Sequence, residues 1–536
     1  MTFTSWPPEL AELYRDRGLW RAETFDDVLA ARAGDPDLAD RVAVVDAERS
    51  LTYRELDGRV GRLAAAFADL GIVPGERVIV QLPNVVAYVE TVFALFRARA
   101  LPVFGLPAHR EAELVGIAQE SEAVAMIHPG VLHGYDHAGL ARTVAEQAPT
   151  LRHVIDLDEL AALDAAPRDH GRSDPSEVAF LQLSGGSTGT PKLIPRTHDD
   201  YLYSVWRSNE VCGVTADTVY LVVLPASHNF PMSSPGILGA VYAGGSTVLS
   251  PSPTPSVAWP LVERERVTMV GLVPPLARLW TETAESGTEH DISSLETIQV
   301  GGARCPDELA RRIGPALGVT LQQVFGMAEG LVCYTDLDAP IEVVTTTQGR
   351  PMSEYDQIRL VDEDGVPVES GPGLLEVQGP YTIRGYWNGV AATSFAADGW
   401  YRTGDVVELA DGGELIVRGR SGDRINRGGE KVSAEQLEEH LLEHSAVRDV
   451  IVVAIDDEYL GERTCAYVIA ADGEPAPKLP TLRAFARGRG LAEWKLPDSV
   501  VVIDAFPETG VGKVSRRRLR ETLAATRPGA NAVGGV

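Results

Sequence analysis

Val178-Ala179-Phe180-Leu181-Gln182-Leu183-Ser184-Gly185-Gly186-Ser187-Thr188-Gly189-Thr190-Pro191-Lys192 joins an apolar run to a segment of glycines, hydroxyls and one lysine. A largely continuous apolar run of this length predicts a strand covered on both faces, as in a parallel sheet. The glycines that follow allow backbone N–H groups to come close to phosphate oxygens, the hydroxyls donate further bonds, and the lysine adds a charge. The spacing is not that of the Walker A loop, GxxxxGK[ST], because Thr190 and Pro191 separate the last glycine from the lysine. A flexible Gly/Ser linker is the plain alternative, and a linker has no need of a Thr-Pro-Lys ending.

On the N-terminal side, Thr52 and Glu55 form a capping box before Leu56, Val60, Leu63, Ala64, Phe67 and Leu70, which recur at helical spacing up to Gly71. A strand over 77–82, an apolar helix over 87–97 and further strands over 101–106 and 123–127 follow. The same alternation resumes in strands over 219–224, 246–249 and 268–273. Strand and helix in turn, with continuous apolar strands, predict an α/β fold whose parallel sheets carry helices on both faces. From about Tyr355 the texture changes to short strands broken by Asp364-Gly365, Asp398-Gly399 and Asp411-Gly412, which predicts a hairpin-rich β subdomain. The glycine- and charge-rich segment 419–430 marks a boundary. Beyond it, Ser433 and Gln436 cap a helix bearing Leu437 and Leu441, and a strand over 450–455 follows. The expected organisation is a core over 1–421, a compact α+β domain over 422–526 and a disordered tail over 527–536.

At 536 residues, 44% of them apolar, the chain is long enough for several buried cores. No segment approaches the roughly 20 uninterrupted apolar residues of a membrane span, and the start is polar and acidic, so a cytoplasmic location is expected. A formal charge of −28 argues against a broad nucleic-acid-binding face. A nucleotide would need a local site that overrides that field. Cys212, Cys305, Cys333 and Cys465 lie far apart, with no CxxC pair, and read as reduced packing residues. The only lysines are Lys192, Lys431, Lys478, Lys495 and Lys513 among 48 basic residues. Three of them lie in glycine-rich segments, where a compact ammonium differs usefully from the arginine fork; Lys478 and Lys495 read as ordinary surface lysines.

The segment SGGSTGTPK resembles the phosphate loop of the adenylate-forming superfamily, which comprises acyl-CoA synthetases, firefly luciferase and nonribosomal-peptide adenylation domains. Four more segments resemble that family in its order: Phe325-Gly326-Met327-Ala328-Glu329, Tyr401-Arg402-Thr403-Gly404-Asp405, Gly419-Arg420, and Pro507-Glu508-Thr509-Gly510-Val511-Gly512-Lys513. The resemblance implies a large N-terminal domain of two parallel αβαβα-type subdomains plus a β-rich subdomain, and a small mobile C-terminal domain. It implies ATP and Mg2+ as cofactors. Ser184, Gly185, Gly186, Ser187, Thr188, Gly189 and Lys192 would hold phosphates, Glu329 magnesium, and Phe325 the adenine. Asp405 and Arg420 would hold the ribose, Lys513 would be the catalytic lysine, and Gly302, Ala303, Val324 and Gly326 would complete the nucleotide site. Two positions depart from the family pattern. Ala328 stands where threonine is frequent, so a hydroxyl is missing. Gly422 stands at the hinge, where Asp or Lys is usual, so rotation is unhindered but a biasing side chain is gone.

The chemistry follows without the family. A carboxylate is a poor acyl donor until it becomes a mixed anhydride, and attack on the α-phosphate of ATP makes one while expelling pyrophosphate. Two anions must meet, so positioning and electrostatic stabilisation outweigh acid–base work. Loss of either Lys513 or Asp405 would have suggested a silent nucleotide-binding protein, and both are present. An oxidative luciferase shares the adenylation step and stays open at this level.

The segment 224–236, LPASHNFPMSSPG, looks most like the stand-alone aryl-acid ligases, the 2,3-dihydroxybenzoate–AMP ligases above all. By that resemblance Asn229, Phe230, Ser234 and Val332, with Gly302 and Ala328, line the ring pocket, and His228 lies between the ring and the α-phosphate. Amino-acid-activating domains place an aspartate here for the substrate ammonium; the amide of Asn229 suits a phenolic hydroxyl or a ring nitrogen. Ser234 and Val332 favour a second ring substituent, as in 2,3-dihydroxybenzoate or a hydroxypicolinate, with salicylate the smaller option. The expected acceptor is the phosphopantetheine thiol of a separate aryl carrier protein, since no carrier domain follows residue 526, with coenzyme A as the alternative. Gly428, Gly429 and Lys431 would serve that thiol step.

Overall fold

The computed structural model describes residues 3–184, 192–302, 304–305, 307–362, 365–387, 389, 392–420, 424–471, 473–507, 516 and 519–520. Residues 185–191, Ala303, Asp364, Gly422, Lys513 and 527–536 lie outside the described residues, as do the side chains of Ser184, Arg420 and Ser433. The chain divides into two compact units, a larger one ending at Ser421 and a smaller one built mainly from 422–536.

Local sequence sets the first elements of the larger unit. Thr52 Oγ1 accepts from Glu55 N at 3.2 Å and Glu55 Oε2 accepts from Thr52 N at 2.9 Å, which starts the helix Tyr53–Asp69. The apolar face read from the sequence, Leu56, Val60, Leu63, Ala64 and Phe67, is buried. One mixed sheet runs in the order Arg350–Pro351, Gly330–Tyr334, Thr320–Met327, Thr297–Val300, Met269–Leu272, Val219–Val222, Ser246–Leu249, Val42–Val45, Ser50–Thr52. Its middle, from Thr320–Met327 to Val42–Val45, is parallel, and its edges are antiparallel. A second sheet runs Lys192–Thr197, Val178–Ser184, Leu101–Phe104, Arg77–Val80, Ala125–His128, His153–Asp156, parallel except for the Val178–Ser184/Lys192–Thr197 hairpin. The hairpin-rich region is a four-stranded antiparallel sheet of Gln357–Val361, Gly373–Gln378, Tyr401–Leu409 and Leu415–Arg420.

The smaller unit packs the helices Ala434–Leu442 and Leu479–Gly488 with a sheet of Glu430–Ser433, Arg424–Arg427, Gly461–Ala470, Val447–Asp457 and Ser499–Val502. Ile425, Leu437, Leu441, Val452, Leu482 and Leu496 form its core. Gly428 and Gly429, at φ 61° and 94°, make the two-residue turn between Arg424–Arg427 and Glu430–Ser433, a conformation that glycine adopts without strain. One surface reading needs correcting. Lys495 is half-buried, and its Nζ donates to Gln436 Oε1 at 2.9 Å, because the flexible stem follows apolar surface while the ammonium reaches a partner. All four cysteines are free and buried. Among the described residues, no helix is long and apolar enough to cross a membrane.

Candidate active site

Ser184 ends one strand and Lys192 begins the next, and the two face each other in the ladder, so the residues on both sides of 185–191 belong to the second sheet. Lys192 is buried at 7% exposure. Its ammonium lies 4.7 Å from the Tyr386 ring centroid, 3.5 Å from the Tyr386 hydroxyl and 3.4 Å from Ser394 Oγ.

The segment 325–329 leaves the strand Thr320–Met327 and turns into Gly330–Tyr334. The ladder sets Phe325 opposite Cys333 and Gly326 opposite Val332. Phe325 is half-buried and Gly326 exposed, whereas Glu329 is buried at 3% exposure. The Tyr386 hydroxyl donates to Glu329 Oε1 at 3.0 Å and lies 3.2 Å from the Tyr401 hydroxyl. Burial, reinforced by the Glu329 charge, pushes the Tyr386 phenol far up. The carbonyl of Ala328 accepts from Arg196 Nη1 at 2.6 Å, while Arg196 Nη2 reaches Tyr381 O at 2.9 Å and Nε reaches Asp200 Oδ2 at 2.8 Å.

Of the residues expected to line the ring pocket, Asn229 and Phe230 lie on one short helix, Asn229–Ser233, and Ser234 is its C-cap. His228 caps it: its Nδ1 accepts from Phe230 N at 3.2 Å, which leaves the proton of the neutral ring on Nε2. Asn229 Oδ1 accepts from the Tyr201 hydroxyl at 2.7 Å, so the amide NH2 is the end left to turn elsewhere. Phe230 lies against two strand ends. A Cβ on Gly301 would meet its ring at 3.2 Å and Val324 O at 3.0 Å, and one on Gly271 would meet the ring at 3.2 Å. Glycine at both places is what permits that approach. Ser234 is buried, and the Tyr334 hydroxyl lies 2.9 Å from Ser208 Oγ. Val332 is buried, and its N–H donates to the Tyr381 hydroxyl at 2.9 Å, which in turn donates to Asp356 Oδ2 at 2.7 Å. Burial pushes the Asp356 carboxyl up to about 8.

Asp405 is buried and faces Arg420 across the antiparallel ladder, so the two residues read as ribose contacts are neighbours although 15 positions apart. Gly302 is exposed with φ 82°. Gly428, Gly429 and Lys431 belong to the smaller unit, on its glycine turn and adjoining strand. Tyr386, Tyr201, Arg196, Gly271 and Gly301 were not found from the sequence. Only Arg196 carried a usable local signal, as the i,i+4 partner of Asp200, itself the N3 residue of a capping box with Thr197.

The family model described as "AMP-binding enzyme" matches residues 32–387, and that described as "AMP-binding enzyme C-terminal domain" matches 436–513. The chain belongs to the AMP-binding enzyme family. It is 52% identical over 531 residues to a 2,3-dihydroxybenzoate-AMP ligase of Bacillus subtilis (strain 168), with 97% of this chain and 98% of the relative covered. It is 47% identical to a vibriobactin-specific 2,3-dihydroxybenzoate-AMP ligase of Vibrio cholerae, with 97% of each covered. Among solved structures it resembles apo MbtA of Mycobacterium smegmatis, at TM-score 0.74 and 44% identity, with 97% and 98% covered. The resemblance read from the five segments is therefore borne out, as is the α/β fold class.

Proposed function

We propose that this AMP-binding enzyme activates an aryl carboxylic acid in two steps. The carboxylate attacks the α-phosphate of ATP, giving aryl-AMP and pyrophosphate; the phosphopantetheine thiol of a separate aryl carrier protein then takes the acyl group and releases AMP. The observation that carries this reading is Asn229, whose Oδ1 is held by the Tyr201 hydroxyl, one position before Phe230 on the helix Asn229–Ser233. An amide donor suits an ortho-hydroxyl or ring nitrogen and offers no charge for a substrate ammonium. Ser234, polar and buried, favours a second ring substituent, so 2,3-dihydroxybenzoate is the first choice, ahead of hydroxypicolinates and salicylate.

In this reading Phe230 and Val332 flank the ring, and the His228 Nε2–H donates near the α-phosphate. Asp405 and Arg420 hold the ribose, and Phe325 with Gly302, Ala303, Val324 and Gly326 borders the adenosine. Residues 184–189 and Lys192 hold phosphates, Lys513 bridges the two reacting anions, and rotation about Gly422 brings Gly428, Gly429 and Lys431 to the thiol. Among the described residues no group of three or more His, Cys, Asp or Glu could hold a metal. One buried carboxylate, Glu329, fits Mg2+ that arrives with ATP and keeps phosphate oxygens and waters as its other ligands. When bound, the ion offsets the charge of the phosphates.

Acid-dependent pyrophosphate exchange over a panel of benzoates, hydroxybenzoates and hydroxypicolinates tests the first step. Activity confined to fatty or amino acids would overturn the substrate class. Holo-carrier protein and free coenzyme A, offered in parallel, test the acceptor.

A further inference from the structure

Tyr386 is bracketed by groups whose hydrogen-bonding roles are one-sided. The Lys192 ammonium only donates, the Glu329 carboxylate only accepts, and the phenol has a single proton, which goes to Glu329 Oε1 at 3.0 Å. The Tyr386 oxygen is therefore the acceptor toward Tyr401, 3.2 Å away, and it faces the Lys192 ammonium at 3.5 Å while its ring carries that ammonium at 4.7 Å from the centroid. All four residues are buried, so each such bond acts in a medium that screens it weakly. Polarity runs one way through this chain, from the cation and Tyr401 through the phenol to the carboxylate.

Building on the adenylation reading above, we propose that Tyr386 is a positioning residue for Glu329. It fixes the rotation of that carboxylate toward the magnesium that accompanies ATP, and it keeps the Lys192 ammonium on the ring face, away from a direct ion pair with Glu329. Without the hydroxyl, Glu329 loses one hydrogen bond that fixes its rotation, and the nearby ammonium can compete with the metal for it. Outer-shell partners of this kind typically change metal affinity by about 10- to 100-fold.

The test is Mn2+ binding, read by electron paramagnetic resonance, to the full-length protein with a non-hydrolysable ATP analogue and no acid present. Tyr386→Phe is expected to weaken nucleotide-dependent Mn2+ binding by about 10-fold or more, to leave analogue binding in EDTA unchanged, and to raise the Mg2+ requirement of pyrophosphate exchange without changing KM for the acid. In a Glu329→Gln background the same substitution is expected to add nothing. Tyr401→Phe, which removes a donor to Tyr386 and leaves Glu329 untouched, is expected to give a smaller shift in the same direction, and it decides the matter if Tyr386→Phe does not fold. Wild-type Mn2+ binding with either folded variant unchanged overturns the proposal alone, as does equal weakening with and without metal. Absence of nucleotide-dependent Mn2+ binding in the wild-type protein overturns the adenylation reading and the proposal together.

Discussion

Arg196 is 2% exposed at its side chain and its partner Asp200 is wholly buried, so neither charge has water to fall back on. Asp200 also accepts from Thr197 N and Oγ1, at 2.6 and 2.9 Å, which makes it the hub between a helix start and the guanidinium. Arg196→Met strands that carboxylate, and the expected cost is about 3–5 kcal/mol, read as a shift in denaturant midpoint. The guanidinium also lies over Tyr201, 4.7 Å from the ring centroid, and Tyr201 holds Asn229. A rise in KM for the acid is expected to accompany the lost stability. His198 sets a pH limit by another route. Its Nδ1 accepts from Phe25 N at 3.3 Å and its ring packs against Phe25 and Phe96, so the folded state wants the neutral imidazole, and burial pushes its pKa down to about 3. In the unfolded chain the ring takes up a proton near 6.5. Between those values the unfolded state binds more protons, so this contribution is complete above about pH 6.5 and is lost as pH falls toward 3. Compared with wild type, His198→Gln should show a flatter fall of denaturant midpoint across that window.

Helix starts are the elements that the sequence states most openly, because an N-cap bond spans three residues. Thr52 and Glu55 could be paired by inspection, and the same device recurs, unread, at Thr24–Asp27, Asp156–Glu159 and Thr197–Asp200. Thr52→Ala should cost about 1 kcal/mol, visible in the thermal midpoint, while Thr52→Ser should be close to neutral. The glycine pair 428–429 was equally visible, though as chemistry rather than as the turn its φ angles now explain. Strand order was not legible. Val42–Val45 pairs with Ser246–Leu249, some two hundred positions away, and an apolar strand carries no mark of which neighbour it will meet. Tyr386 was missed for the same reason: it meets Glu329 across 57 positions, from a segment with neither periodicity nor a recognisable turn. The motif segments were legible because their spacing is local; the residues that contact them come from distant segments brought together by the sheets.

For the molecule as a whole, the question is how an acidic chain with a formal charge of −28 joins two anions. Charge of the right sign has to be delivered locally, and in the proposed function that part falls to Lys513 of the smaller unit. Past the segment 508–515, Arg516 donates to both carboxylate oxygens of Glu438, at 2.8 and 2.9 Å, and to Val452 O at 2.7 Å, while the Tyr467 hydroxyl donates to Leu519 O at 2.8 Å. Ahead of it, Ser499–Val502 pairs in parallel with Gly461–Ala470. The described residues on either side of 508–515 thus both belong to the smaller unit. If Lys513 stabilises only the meeting of carboxylate and α-phosphate, its loss must separate the two half-reactions. Lys513→Ala is expected to lower acid-dependent pyrophosphate exchange by about a hundred- to a thousandfold, the usual size for one preorganised charge contact. Transfer of a preformed aryl-AMP to the carrier thiol, in which no second anion has to approach the α-phosphate, should change less than about tenfold on the same ground. Rapid-quench measurement of each step with the same protein makes the comparison. Equal losses in both would mean that the ammonium serves the thiol step too, and unchanged exchange would remove it from the chemistry altogether.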